Sequence, residues 1–307
     1  MIALIIPWFL LLLLIIVVLC LILKKRKTSL LLLVVIIGIN WWGECIPIRF
    51  LHKVGAKKTK SIKVLSFNID GSSEDILIRL PNILNLIKNQ DPDVVFIAEY
   101  PENYYNTVDT LVRKIFDYST QRDGSGHYFF SKYPLSEQQK LCNGDKNVGI
   151  YSCIMNINRD TVRLYGCHFA SNNYTPNERY ITPDSINNKN DLITYIKDIQ
   201  HAYYKRIDEA GILVKQLDDK GEPIIVMGDF NDVSGSAVIK LLEKTGLKDA
   251  WWEGGVGYGA TIHTPLPYRI DHIMYSSGIE LRKIDVISSE GLSDHDALYA
   301  EFGLKAN

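Results

Sequence analysis

Apolar runs of strand length recur along this chain, and five times such a run ends in a polar phrase. The phrases are LSFN (residues 65–68), FIAE (96–99), GCHF (166–169), GDFND (228–232) and the pair RIDHI (269–273) with SDHDA (293–297). Each brings Asn, Asp, Glu or His to the end or the interior of a β-like segment. A fold that gathers strand ends on one side would therefore collect several carboxylates, amides and imidazoles in one place. Hard oxygen donors of this kind suit Mg²⁺ or Mn²⁺ held against a phosphate, and a histidine beside them can handle the proton of an attacking water. Any one phrase is weak, and their number and order carry the reading.

The first sixty residues have a different character. Residues 2–23 are apolar throughout apart from the neutral Pro7, and Lys24-Lys25-Arg26-Lys27 ends the run. At ~1.5 Å per residue such a helix matches a hydrocarbon core of ~30 Å. A second run, residues 30–39, reaches that length only by continuing through Trp41, Trp42 and Ile48, and so must carry Asn40 and Glu44. Indole rings favour the membrane–water interface. A cleaved signal peptide is the competing reading, but the positively charged start is missing and the run exceeds the usual ~7–15 residue apolar stretch. We expect a membrane anchor of two transmembrane helices over residues 1–52, a basic linker over 53–60 and one catalytic domain over 61–307. With the Lys/Arg cluster inside, the domain would face away from the cytoplasm; the basic stretch 53–63 pulls mildly the other way.

Removing residues 1–60 leaves 25 Lys+Arg against 34 Asp+Glu, a net charge of −9 for the domain. Proteins that grip duplex DNA present a basic face, because phosphate neutralisation supplies most non-specific affinity. The charge balance therefore disfavours a general nuclease. Cys20, Cys45, Cys142, Cys153 and Cys167 show neither CxxC spacing nor a disulfide framework. The apolar runs contain no acidic or basic residue that would mark a transport pathway.

Within the domain, strands are expected at residues 61–69, 94–98, 223–227, 269–275 and 297–302, with a hairpin of 148–157 and 161–170. Helical spacing marks residues 76–89, 191–217 and 237–242. A polar loop spans 171–190. Taken singly, each polar phrase has a plainer explanation. Asn68 and Glu99 could close strands in turns, Asp229 and Asn231 could form an Asx-turn, and His168 or His295 could be satisfied structural histidines. Asp229 and Asn231, at i and i+2, can share one face. Asp271 and Asp294 offer His295 a carboxylate partner.

The phrases together resemble those of the endonuclease/exonuclease/phosphatase (DNase I-like) superfamily, from about residue 63 to the end. The resemblance implies an α/β fold, a four-layer α/β/β/α sandwich of two β-sheets flanked by helices. It implies Glu99 as the main metal ligand, with Asn68 and Asp294 in the metal site and Mg²⁺ or Mn²⁺ as cofactor. It implies His168, Asp229, Asn231, Asp271 and His295 as catalytic residues, without choosing between Asp229 and His295 as the base. Asn172, Asn173 and Arg206 become candidates for phosphate contact, although Arg206 on a long helix is most often a solvated residue. Ala98 replaces the Gln that often precedes the family's Glu. The expected function is a metal-dependent phosphoric ester hydrolase anchored in the lipid bilayer, acting on a lipid headgroup, a small phosphate ester or nucleic acid, with no obligate protein partner evident. A DNA or RNA nuclease is the alternative, and a catalytically silent, membrane-tethered binding module the second alternative.

Overall fold

The computed structural model describes residues 2–43, 61–142, 149–158, 160–172, 186, 188–217, 222–264 and 267–304; the side chains of 2–5, 7 and 39–43 lie outside that description. The basic linker 53–60, Glu44, Cys45, Asn173 and most of the 171–190 loop therefore fall outside the described residues.

Two helices come first, α1 (Ile2–Ile22) and α2 (Arg26–Gly43). Lys24, in left-handed conformation at φ 58°, makes the turn between them. Leu10, Leu13 and Val17 are buried, whereas Leu11, Leu12, Leu14 and Ile15 stay exposed. Among the described residues no helix is long and apolar enough to cross a membrane. The expectation of two membrane spans over residues 1–52 is thus not supported among the described residues.

The domain is built on two mixed six-stranded sheets. One has the order β11-β12-β1-β2-β4-β3 and the other β5-β6-β7-β8-β10-β9. The strands of the first are β1 (Ser61–Asn68), β2 (Val94–Ala98), β3 (Tyr118–Ser119), β4 (Tyr128–Ser131), β11 (Ile279–Ile287) and β12 (Ala297–Leu304). Those of the second are β5 (Leu135–Lys140), β6 (Gly149–Ile157), β7 (Asp160–His168), β8 (Ile224–Asp229), β9 (Lys248–Asp249) and β10 (Asp271–Tyr275). The central strands are apolar on both faces because both are covered. Val64, Phe96, Leu164, Met227 and Ile273 fill the space between the sheets.

Helices cover the outer faces. Helices α3 (Ile76–Gln90) and α4 (Tyr105–Val112) lie on the first sheet, where Ile83 and Ile87 join Phe67, Val95 and Ile97 in one core. Helices α5 (Lys189–Val214) and α6 (Ala237–Glu243) lie on the second, where Ala210, Leu213 and Leu242 meet Cys167 and Val226. Short α7 (Ala250–Gly254) follows β9. Local chemistry sets the boundaries. Asp91 ends α3 in left-handed conformation, and Pro92 follows it. Asn188 caps α5 by accepting from Asn190 and Asp191, with Asp191 bonding back in a capping box.

Two parallel pairs, β1 with β2 and β7 with β8, decide where the site forms. In parallel neighbours the C-terminal ends lie together. Asn68 pairs with Ala98, just before Glu99, and His168 pairs with Asp229. Antiparallel β10 starts where β8 ends, placing Asp271 opposite Asp229.

Candidate active site

Asp229 lies at the centre of the arrangement. Asn68 Nδ2 donates to its Oδ2 at 3.2 Å, and His168 Nε2 and His295 Nε2 approach the same oxygen at 3.7 and 3.6 Å. Its Oδ1 accepts the Asn231 backbone N–H at 2.8 Å. Two backbone positions make this turn: Gly228 at φ 142° and Asn231 at φ 50°. A Cβ at Gly228 would meet the Cys167 carbonyl, so the strand can pass here only as glycine. Asn231 Nδ2 is committed to the Phe169 carbonyl at 2.9 Å, which ties the end of β8 to the end of β7.

His295 arrives from the segment before β12. Its Nδ1 meets Asp271 Oδ2 at 2.8 Å, with both side chains buried. Burial works to lower its pKa, but the Asp271 and Asp229 carboxylates outweigh burial and push it up to about 10. The buried Asp271 Oδ1 has no hydrogen-bond partner among the described residues. Asp229, Asp271 and His295 can bring one ligand atom each within 4.8 Å of one another.

Glu99 follows β2 at φ 53° and remains 31% exposed at the mouth of the cleft. Asn68 Nδ2 donates to its Oε1 at 2.9 Å, so one amide bridges Glu99 and Asp229. The amide oxygen of Asn68 accepts the Asp70 N–H at 3.1 Å. Asp70 is a site residue that the sequence reading missed. Its carboxyl is held above the usual range, first by burial and then by the negative charges of Asp294 and Glu99. Exposed Asp294 therefore shares a locale with Glu99 and Asp70. Crowded carboxylates repel, and a divalent cation among them would relieve that repulsion. The donor set of Glu99, Asp294, Asp70 and the Asn68 amide oxygen is hard, as Mg²⁺ or Mn²⁺ requires, so the residues present fit such an ion.

His127, the second missed residue, stands before β4 with its Nε2 3.4 Å from His168 Nδ1. Both signals were present in the sequence, as Asp70 lies two residues beyond Asn68 and His127 opens the aromatic run 128–130.

Other candidates are placed elsewhere. Arg206 is buried beneath the cleft, donating from one guanidinium nitrogen to the Ala170 carbonyl at 2.9 Å and to Asn172 Oδ1 at 3.0 Å. Its Nε faces Asp232 Oδ2 at 3.5 Å. Arg206 and Asn172 thus hold the exit of β7, and Arg206 is buried where a solvated face was expected. His272, on β10, is buried, bonding the Asp232 carbonyl at 3.0 Å and meeting Asp249 and Arg269. Trp251 packs in the core between the sheets. Cys142, Cys153 and Cys167 are buried and form no disulfide among the described residues.

No curated protein matches the chain. Solved structures with the same architecture include a humanized TDP2 of D. rerio, at 16% identity and TM-score 0.61, covering 79% of this chain and 99% of its own. Sphingomyelinase C of Streptomyces griseocarneus matches at 18% identity and TM-score 0.54, covering 80% and 100%. A protein of Bacteroides thetaiotaomicron from the endonuclease/exonuclease/phosphatase family matches at 15% identity and TM-score 0.56, covering 81% and 100%. At these identities the likeness shows the fold alone. The sequence profile of the endonuclease/exonuclease/phosphatase family matches residues 65–295, from the first polar phrase to the last, and the chain belongs to that family.

Proposed function

We propose that this chain is a membrane-anchored phosphoester hydrolase that uses Mg²⁺ or Mn²⁺ and an activated water. The observation that carries the reading is the convergence on Asp229 of Asn68, His168 and the Asp271–His295 pair, with Glu99 beside them. Glu99, with Asn68 and Asp294 beside it, would hold the cation, which when bound would supply Lewis-acid polarisation of a phosphoryl oxygen and neutralise its charge. Among the described residues Asp229 is the carboxylate in reach of both His168 and His295, and it accepts the proton of the attacking water. His295, raised in pKa by its two carboxylate neighbours, donates from Nε2 to the oxygen on which charge develops. Asp271 holds its ring in place through Nδ1. His168 lines the same cleft and steadies a remaining phosphate oxygen, and so does the second Nδ2 proton of Asn231, whose first is held by the Phe169 carbonyl.

The net charge of −9 beyond residue 60 favours a lipid headgroup diester or a small phosphate ester over duplex DNA. The membrane assignment rests on the apolar run 2–23, the basic turn 24–27 and the second apolar run. That basic turn, placed inside, sets the domain outside the cytoplasm.

A substrate panel tests the activity. The full chain is incubated with sphingomyelin, inositol phosphates, bis-p-nitrophenyl phosphate, plasmid DNA and an abasic duplex, in Mg²⁺, Mn²⁺ or EDTA. Turnover of the lipid or small esters is expected in Mg²⁺, loss in EDTA and recovery on adding the metal back. Glu99→Gln, which keeps the side chain's size, abolishes that turnover. Full activity in EDTA overturns the metal assignment, and selective cleavage of DNA favours the nuclease alternative. No turnover on any member leaves the silent binding module.

A further inference from the structure

We infer that His127 is a positioning residue, whose imidazole fixes His168 in the tautomer with its proton on Nε2, so that His168 presents a donor to a phosphoryl oxygen. Three contacts in series carry this. The Glu99 backbone N–H faces His127 Nδ1 at 3.4 Å, His127 Nε2 faces His168 Nδ1 at 3.4 Å, and His168 Nε2 faces Glu99 Oε1 at 3.5 Å.

A backbone N–H can only donate, so His127 Nδ1 must offer its lone pair. A neutral imidazole with its lone pair on Nδ1 carries its proton on Nε2, and that proton points at His168 Nδ1. His168 must then accept at Nδ1 and carry its own proton on Nε2. The opposite tautomers would set N–H against N–H at the Glu99 end, in a place with little water to compensate. Both rings are buried, His127 at 1% and His168 at 4%. They meet edge to face with centroids 4.8 Å apart, and His127 is flanked by Phe96 and Tyr151. His127 directly precedes β4 of the first sheet and His168 ends β7 of the second, so the relay crosses between them. The outer nitrogen of a functional histidine is commonly set by what its other nitrogen bonds, and here that partner is a second histidine.

The catalytic consequence rests on the phosphoesterase reading; the tautomer does not. The first measurement is therefore long-range ¹H–¹⁵N NMR on the full chain labelled at histidine, without metal or substrate and at mildly alkaline pH. His168→Gln identifies the His168 signals. The expected result is a protonated Nε2 and a lone-pair Nδ1 on His168, and a protonated Nδ1 overturns the inference whether or not the chain hydrolyses anything. In the hydrolysis assay His127→Phe keeps a ring between Phe96 and Tyr151 but removes both nitrogens. It is expected to lower kcat roughly ten- to a hundredfold, the range for loss of a partner that orients a functional histidine, with KM unchanged. His127→Gln returns an N–H toward His168 and restores most of the loss. A wild-type kcat in His127→Phe, or equal losses in the Phe and Gln variants, overturns the positioning role. If His127→Phe does not fold, the wild-type spectrum and the Gln variant decide.

Discussion

Asp271 touches no solvent, yet the chemistry of His295 depends on it. The 2.8 Å contact to Nδ1 fixes which imidazole nitrogen faces Asp229, and the carboxylate charge favours the protonated ring. Asp271→Asn keeps the shape and removes the charge, and an amide can present its nitrogen to Nδ1 and so force the wrong tautomer. The expected loss in kcat is on the order of 10³–10⁴, comparable to the loss when the carboxylate orienting a catalytic histidine becomes an amide. Steady-state kinetics beside a melting curve separates this from unfolding, since one altered atom costs little packing. A variant within a factor of about three of wild type, well under the tenfold that ~1.4 kcal/mol of barrier represents, removes Asp271 from the machinery. Individual site residues were legible where a charge ended an apolar run, as Glu99 does after Val-Val-Phe-Ile-Ala. Asp70 and His127 lay close to sequence signals, two residues beyond Asn68 and at the start of an aromatic run, but their roles depend on Asp294, Glu99 and His168, which the fold brings beside them.

Helix α5 fastens the cleft from behind through two buried charges. Arg206 reaches the Ala170 carbonyl, and one turn away Glu209 Oε2 accepts the Ala170 N–H at 3.0 Å. Burial raises the Glu209 carboxyl to about 7, against the pull of that hydrogen bond and of Lys205 and Arg206. The unfolded chain releases this proton near the ordinary value of 4.5, whereas the folded chain holds it to about 7. The stability it contributes is thus full below the unfolded pKa and lost as pH rises through the folded one. Glu209→Gln keeps the bond to Ala170 and cannot ionise. It should melt higher than wild type at about pH 8, by at most about 3 kcal/mol, and match it below about pH 4.5. Equal melting at both pH values would show that Glu209 is ionised without cost. Among elements, β2 was read from sequence at its observed bounds, and α3 and α6 within a residue, because apolar spacing and Asp91-Pro92 marked them. Strand β5 was missed because it is an exposed edge with little apolar alternation. Strand β11 is interrupted by an irregularity at Leu281/Lys283, and α4 buries only Val108 and Val112. Edge and outer elements carry weak patterns because fewer of their residues must be apolar.

At the scale of the whole molecule, the helices and the domain obey different rules. Helices α1 and α2 expose many large apolar side chains, among them Leu11, Leu12, Leu19, Leu30 and Ile37, whereas the domain closes its apolar surface between and outside two sheets. Patches of that kind on a chain in water invite association. A reporter fused after the last residue reads the orientation of the domain. Alkaline phosphatase activity is expected, and green fluorescence with silent phosphatase refutes the outward arrangement. Reversing Lys24-Lys25-Arg26-Lys27 to acidic residues should weaken the preference, because those charges set it.

The spacing of the two sheets is set partly at Gly166, where an added Cβ would run into the Phe96 ring. Gly166 lies two residues before His168 on β7, and Phe96 three residues before Glu99. Those strands end in the groups whose 3.5 Å separation helps define the cleft. The core therefore acts as a caliper, with its jaws at the catalytic end and its stop in the hydrophobic interior. Pressure, warmth or a core substitution that changes the gap will be felt first as a change in turnover, while the sheets themselves are still intact.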